Sequence, residues 1–184
     1  VSDVEEKISS RTRAIMPVHL YGHPCEMDTI QAIADTYKLK IIEDAAEAHG
    51  AEYKGRKVGG IGDIGCFSFY ANKIITCGEG GMLVTNNKNY YELACKLKNL
   101  NHSRTKRFIH DGVGYKYVLS NIQAAIGLCS LSHVKESIAY KQKMAGLYQK
   151  YLESVPGIVL PAEKTWAKNV YWMYAIRIKE KEFG

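Results

Sequence analysis

The chain has no run approaching the roughly 20 apolar residues that a membrane-crossing helix needs, so none is expected. It has no C-x-x-C pair, and its cysteines (Cys25, Cys66, Cys77, Cys95 and Cys129) are odd in number. A disulfide framework or a zinc site is not expected, and a reducing cytoplasm is the expected compartment. Cys66, inside the apolar run GCFSFY, reads as a small buried hydrophobe. No dense basic stripe with interleaved aromatics occurs. The net charge of +6 is spread out, with mild clustering in SRTKR (103–107) and along 135–150. Nucleic acid is not an expected partner, whereas a diffuse positive balance suits a phosphorylated small molecule. Repeats and low-complexity segments are lacking. None of the histidines pair at metal-ligand spacing on one helix face, because Gly22 and Pro24 bar a helix through His19 and His23. No metal is expected, and core or surface roles are the default for these residues. The opening stretch VSDVEEKISSRTR lacks the apolar centre of a signal peptide and reads as the end of a helix entered part-way. The 184 residues are therefore expected to be a piece of a longer chain.

What is present fits a globular α/β domain. Apolar residues make up 46% and charged residues 24%, and the length suffices for a hydrophobic core. RAIMPVHL (13–20) reads as a strand, followed by a turn at Gly22 and Pro24 in which Asp28 or a neighbour could cap a helix. Met27, Ile30, Ile33, Ala34 and Tyr37 fall at helical spacing and predict a helix over 27–37. LKIIED (39–44) reads as the next strand, so this strand–helix–strand unit implies parallel pairing with a right-handed crossover. Residues 54–65 read as a glycine-rich loop, CFSFY (66–70) and GMLVTN (81–86) as strands, and 88–100 as a helix. Residues 101–118 are irregular, Ser120 caps a helix over 120–131, a longer helix covers about 133–154, and VYWMYAIRI (170–178) closes as a strand. The order implies layered α/β architecture that runs into a second region, with the break around 133–157.

Two charged residues stand where chemistry would be placed. Asp44 ends an apolar run and precedes Ala45 and Ala46, which puts a carboxylate at the carboxyl end of a strand, where open α/β sheets bind ligands. It could equally be a strand-end acid that caps a loop. Lys73, in SFYANKIITCGEGG, could be an ordinary surface lysine. Three features favour another role. Ser68 is a short hydroxyl in an apolar run and wants a polar partner, of which a phosphate oxygen is one candidate. Gly78, Gly80 and Gly81 permit close backbone approach to a ligand. Asp44 supplies an acid near by. A lysine that forms a Schiff base and a carboxylate facing it across a pyridine ring are what pyridoxal 5'-phosphate (PLP) chemistry requires. The lysine holds the cofactor and moves protons, and the acid keeps the ring nitrogen protonated. A rival lies alongside: Gly60-x-Gly62-x-x-Gly65 matches the dinucleotide fingerprint, but CFSFY after it reads as strand, not as the helix that would hold a pyrophosphate. It reads instead as a flexible turn.

The blocks IIEDAAEAHGA, FSFYANKIITCGEGGMLVTNN and GYKYVLSNIQAAIG, in that order and spacing, resemble the DegT/StrS family of PLP-dependent sugar aminotransferases. The resemblance spans nearly the whole chain and is strongest to the perosamine-synthase-like branch, which aminates nucleotide-linked 4-keto-6-deoxy sugars. It implies the large-domain core of a fold-type I PLP-transferase: a mixed, mostly parallel sheet with flanking helices over 1–132. It implies a linking helix and the start of the small C-terminal domain over 133–184.

The resemblance also implies roles. Lys73 matches the Schiff-base lysine, Asp44 the partner of the pyridinium nitrogen, and Ser68 a phosphate ligand. Ala46 matches the small residue under the ring, and Glu47 the residue near the ring hydroxyl, where other members carry Gln. Residues 101–121 match a loop that reaches across a homodimer to the neighbouring site. There Lys116 replaces the Asn of the common GYNYR motif and could still bind phosphate as a point charge, while Val118 replaces its Arg and cannot. Tyr70 and His110 are the candidates for substrate contact. The implied reaction moves an amino group from an amino acid, L-glutamate in most of the family, to a nucleotide-sugar ketone. Dehydratases of the family carry His in place of the lysine. Aminotransferases of cyclitols or antibiotic precursors, and a non-catalytic relative with a binding or regulatory role, are the alternatives. The 184 residues alone are expected to be inactive.

Overall fold

The computed structural model describes residues 2–103, 105, 106 and 108–179. After a short helix α1 (Ser2–Glu6) the chain forms β1 (Ala14–Ile15), α2 (Met27–Tyr37), β2 (Lys40–Asp44), β3 (Glu52–Tyr53), β4 (Arg56–Lys57), β5 (Ile64–Ser68) and β6 (Gly81–Val84). It continues through α3 (Lys88–Lys98), α4 (Asn121–Ser132), α5 (Val134–Leu152), β7 (Ile158–Val159), β8 (Ala167–Lys168) and β9 (Arg177–Ile178). The main sheet has the order β1-β2-β5-β6. β1, β2 and β5 run parallel, and β6 returns antiparallel as a hairpin on β5. The expected α/β class and the mixed, mostly parallel sheet are both present.

α2 forms where its apolar spacing places it. Met27, Ile30, Ile33 and Ala34 are its buried face, and it ends on Lys38 in a left-handed conformation that closes the last turn. Glu26, without a side-chain cap, is its N-cap, while Asp28 lies in the first turn, where an acid suits the helix dipole. In α4 the expected Ser120 cap is a full capping box. The Ser120 hydroxyl accepts from Gln123 N–H at 3.3 Å, and Gln123 Oε1 accepts from Ser120 N–H at 2.9 Å.

Three expectations are corrected. The strand expected over 13–20 is reduced to Ala14–Ile15 plus a bridge from Val18 to Asp44. Pro17 has no N–H for the ladder, and Tyr21 takes a positive φ of 56°. Of the strand expected over 170–178, only Arg177–Ile178 forms. Tyr171 has φ 48°, its N–H donates to Asn169 Oδ1 at 2.9 Å, and Val170 and Trp172 turn into the core instead of alternating across a sheet. Part of the expected loop over 54–65 is a hairpin, β3–β4, turning on Lys54 and Gly55.

The core gathers Met27, Ile30, Ala34, Ile41, Ala45, Ala48, Ala51, Tyr53, Val58 and Ile74 from the first half of the chain with Val170 and Trp172 from its end. The end of the chain also returns to the start as a strand, since β8 pairs antiparallel with β3. Among the described residues no helix is long and apolar enough to cross a membrane.

Candidate active site at the carboxyl edge of the sheet

The register of the sheet decides which side chains share a face. Asp44 is paired with Cys66 on the parallel neighbour, and side chains alternate along each strand. Asp44, Cys66 and Ser68 therefore lie on one face, with Glu43, Gly65 and Phe67 on the other. Cys66 is only half-buried, not the buried hydrophobe expected. Burial and the nearby Asp44 carboxylate push its thiol pKa up. The buried cysteine is Cys77.

On the first face Asp44 Oδ1 accepts Ala46 N–H at 3.0 Å, and Ser68 Oγ accepts Tyr70 N–H at 3.3 Å. Asp44 is thus both a strand-end acid that caps its loop and a carboxylate at the carboxyl edge of the sheet. The turn after β5 carries Lys73, whose N–H donates to Tyr70 O at 3.0 Å. This turn is tied down beyond the lysine. Cys77 N–H and Thr76 Oγ1–H both donate to Phe69 O at 3.1 Å, and Phe69 N–H donates to Gly80 O at 2.8 Å. α4 holds it from outside, since Thr76 N–H donates to Ser130 Oγ at 3.1 Å and Gln123 Nε2–H to Glu79 O at 3.1 Å.

Two glycines of the cluster serve this packing, while Gly78 has open space around it. A Cβ on Gly80 would strike Leu119 and Cys77, and one on Gly81 would strike the Phe67 carbonyl. At Gly80 and Gly81 the close approach is to the protein itself.

The Lys73 side chain is 10% exposed, and its ammonium makes no hydrogen bond among the described residues. It lies 3.9 Å from Glu47 Oε1 and 3.7 Å from the centroid of the Trp172 ring. The first is an ion pair without hydrogen-bond contact. The second is a cation–π contact worth about 2 kcal/mol when desolvated. Glu47 is held in place by Tyr21 N–H, which donates to its Oε2 at 2.7 Å. An open cleft of about 420 Å³ lies beside the lysine, lined by Lys73, Ile74, Glu136, Ser137, Tyr140 and Lys141.

The opposite face is organised by Glu43, which sequence reasoning missed. Its carboxylate is fully buried and accepts N–H groups from Gly59 at 2.7 Å and from Ile61 and Gly62 at 2.6 Å. His19 completes the set. Its Nδ1 accepts Cys25 N–H at 3.0 Å, so the proton sits on Nε2, which donates to Glu43 Oε2 at 3.0 Å. Burial alone would raise the Glu43 carboxyl, but His19 and the three N–H donors outweigh it and hold it below the usual range. The glycine loop is therefore a clamped structure, not a flexible turn. The segment after it, Ile64–Ser68, is strand, which removes the dinucleotide reading. A signal was available: a charged residue at an inward position of an alternating strand needs partners.

His49 is 3% exposed and lies against the rings of Phe67 and Phe69, with neither ring nitrogen hydrogen-bonded. Burial first, and then the Lys73 charge, lower its pKa to about 4 against a smaller upward pull from the Ser68 backbone.

Asp44, Ala46, Glu47, Ser68, Tyr70 and Lys73 are thus brought to one edge of the sheet. Lys116 and His110 are not among them. Both are exposed on the loop after α3, where Lys116 bridges to Asn99 and the His110 ring donates from Nδ1 to Leu100 O at 2.6 Å. Val118 is exposed on the same loop.

A mixed, mostly parallel sheet with a lysine and a carboxylate at its carboxyl edge fits the core of a PLP-dependent transferase. The chain belongs to the DegT/DnrJ/EryC1/StrS aminotransferase family, whose model matches residues 1–183. It is 44% identical over 182 residues to the GDP-perosamine synthase of Escherichia coli O157:H7, covering 99% of this chain and 50% of that protein. It is 38% identical over 181 residues to the dTDP-3-amino-3,4,6-trideoxy-alpha-D-glucose transaminase of Streptomyces venezuelae, covering 97% and 47%. Among solved structures, that of S. venezuelae DesV in complex with a ketimine intermediate superposes with a TM-score of 0.90 at 37% identity, covering 98% of this chain and 48% of that one. The chain spans about half the length of the curated relatives it matches.

The residues present fit PLP. An amine without a hydrogen-bond acceptor, a carboxylate at the sheet edge and a hydroxyl on the same face supply what an aldehyde, a pyridine nitrogen and a phosphate each require.

Proposed function

We propose that the intact protein moves an amino group from an amino acid, L-glutamate, to the keto group of a nucleotide-linked 4-keto-6-deoxy sugar, with PLP held at Lys73. The observation that carries this reading is the state of Lys73: part of a tightly bonded turn, nearly buried, and yet without a hydrogen-bond acceptor for its amine among the described residues. When bound, PLP supplies an electron sink for the carbanion formed during amine transfer. The rest is the work of this chain. Asp44 would hold the pyridine nitrogen, Ala46 would lie under the ring, Glu47 would face the ring hydroxyl and Ser68 would bind phosphate. Lys73 would anchor the cofactor and, once displaced, carry the proton in both halves of the reaction.

Lys116 and His110 belong in this reading to a second copy's site, to which their loop would reach in a homodimer. Exposure of Phe108, Val113 and Tyr117 along that loop supports an apolar partner surface. Tyr70 would contact substrate. We assign residues 1–132 to the PLP-binding large domain and 133–184 to the linking helix and start of the small domain, with β8 and Trp172 returning to the first. The cytoplasm, where nucleotide sugars and reduced thiols coexist, is the compartment this chemistry suits.

The test is product analysis. The intact protein, loaded with PLP and L-glutamate, is offered a panel of 4-keto and 3-keto nucleotide sugars, a keto cyclitol and an aromatic keto precursor. An amino sugar formed from a 4-keto substrate is the expected result. Amination of the cyclitol or the aromatic precursor alone would replace the substrate class, and no amination of any would favour a non-catalytic relative.

A further inference from the structure

We infer that Trp172 is a positioning residue that stabilises Lys73 in its free, protonated form, and so sets the balance between the lysine-bound and lysine-free states of the cofactor. The inference rests on the reading of Lys73 as the cofactor anchor.

The indole is built for a fixed stance. Trp172 is 7% exposed, and its Nε1–H donates to Asn72 O at 2.8 Å, which fixes the ring beside the residue that precedes Lys73. The backbone that carries it is clamped from several elements. Lys141 Nζ–H donates to Trp172 O at 3.1 Å, Gln142 Nε2–H to Asn169 O at 2.9 Å, and Val170 N–H to Gly22 O at 3.3 Å. Tyr21, whose N–H holds Glu47, stacks on Trp172 with centroids 6.4 Å apart. The ring face therefore sits 3.7 Å from the Lys73 ammonium with little freedom to leave it. Among the described residues no carboxylate or carbonyl competes at hydrogen-bond distance, and Glu47 stays at 3.9 Å.

This stance has a thermodynamic consequence. To bind the aldehyde form, the Lys73 ammonium first gives its proton to solvent. Its amine then joins the aldehyde carbon in a C=N bond with loss of one water. That step gives up the ammonium-to-indole contact. Binding pyridoxamine phosphate, which has no aldehyde, leaves Lys73 free and the contact intact. Trp172 thus favours the free lysine, the state that must persist while the amine waits on the cofactor for the acceptor.

The experiment compares the two cofactor forms on the intact protein stripped of cofactor, parent against Trp172→Leu and Trp172→Phe. PLP affinity is read from the absorbance of the lysine-bound form, pyridoxamine phosphate affinity by calorimetry. For Trp172→Leu, PLP is expected to bind about thirtyfold tighter, with pyridoxamine phosphate changed by less than about twofold. Trp172→Phe, which keeps a weaker ring face, is expected between the two. Equal weakening of both forms in Trp172→Leu would show a merely structural role and overturn the inference. So would unchanged PLP affinity in Trp172→Leu, or a Phe variant shifted as far as the Leu variant. If the parent itself forms no lysine-bound species, the reading of Lys73 fails first and takes the inference with it. A parent that forms it, with no shift in the variants, defeats the inference alone.

Discussion

Glu47 Oε1 stands 3.9 Å from Lys73 Nζ, while the other oxygen of the same carboxylate accepts Tyr21 N–H at 2.7 Å. The side chain is thereby held near the amine without closing a hydrogen bond to it. Its shape and its charge can be separated. Glu47→Gln keeps an acceptor for Tyr21 N–H and is expected to leave PLP affinity within about threefold of the parent. Glu47→Ala removes the acceptor, exposes the amine to solvent and is expected to weaken PLP by about tenfold, a loss in keeping with one charge-assisted hydrogen bond. Absorbance titration with PLP checks both.

Glu43 should dominate stability. Replacement by Ala leaves three backbone N–H donors and the His19 ring without their acceptor in a dry interior. Breaking such a buried set costs about 3–5 kcal/mol, to be read as a lower urea midpoint of the intact protein. The pH dependence follows in sign. The folded carboxyl is held below its ordinary value of 4.5. Its contribution is complete above that value and is lost as pH falls through the folded one. An acid unfolding midpoint shifted upward in Glu43→Gln is the expected outcome.

His49 should tie stability to pH in a higher window. Its folded pKa, lowered to about 4 from 6.5, means that the unfolded chain takes up the proton first as pH falls. Stability is expected to decline from about pH 6.5 to about pH 4, by roughly 3 kcal/mol in all. Because neither ring nitrogen makes a well-formed hydrogen bond among the described residues, and the Ser68 backbone makes only a weak contact with the ring, His49→Phe forfeits little. It should flatten the slope between pH 7 and pH 5 while changing the urea midpoint at pH 7 little. An unchanged slope would place the titration elsewhere.

Ser68 shares the sheet face of Asp44 and is expected to serve the cofactor's phosphate. Ser68→Ala should weaken PLP by about tenfold, the worth of one hydrogen bond to a charged group. Pyridoxal, which lacks the phosphate, should bind parent and variant alike. Equal losses for both ligands would exclude the phosphate role.

Much of this site was legible in the sequence, and the reasons differ by residue. α2 could be read because its buried residues repeat at helical spacing, and α4 because Ser120 and Gln123 form a local cap. The placement of Asp44 and Lys73 at the sheet edge could be read because one ends an apolar strand and the other follows one, where the chain must leave the sheet. Trp172 could not. It reaches Lys73 from the far end of the chain, and its run VYWMYAIRI looks like strand until the positive φ of Tyr171 turns the indole inward. The glycine loop around Gly60 and Gly62 misled for a related reason: Gly59 beside them is closely packed. The Gly59 φ of 84° and its contact with the Phe67 ring serve the Glu43 clamp, so glycines that suggested looseness mark tight packing. The shortened first strand turned on Pro17, whose missing N–H outweighs the apolar pattern around it.

The proposed role of Lys73 as the PLP anchor can be read directly by chemical trapping. The most direct measurement is borohydride reduction of the intact protein incubated with PLP, followed by peptide mapping, with Lys73→Ala as the control. The expected result is a phosphopyridoxyl label on the peptide containing Lys73, with its absorbance band bleached by reduction and neither label nor band in Lys73→Ala. A label on another lysine, or an unchanged band in Lys73→Ala, would contradict the account.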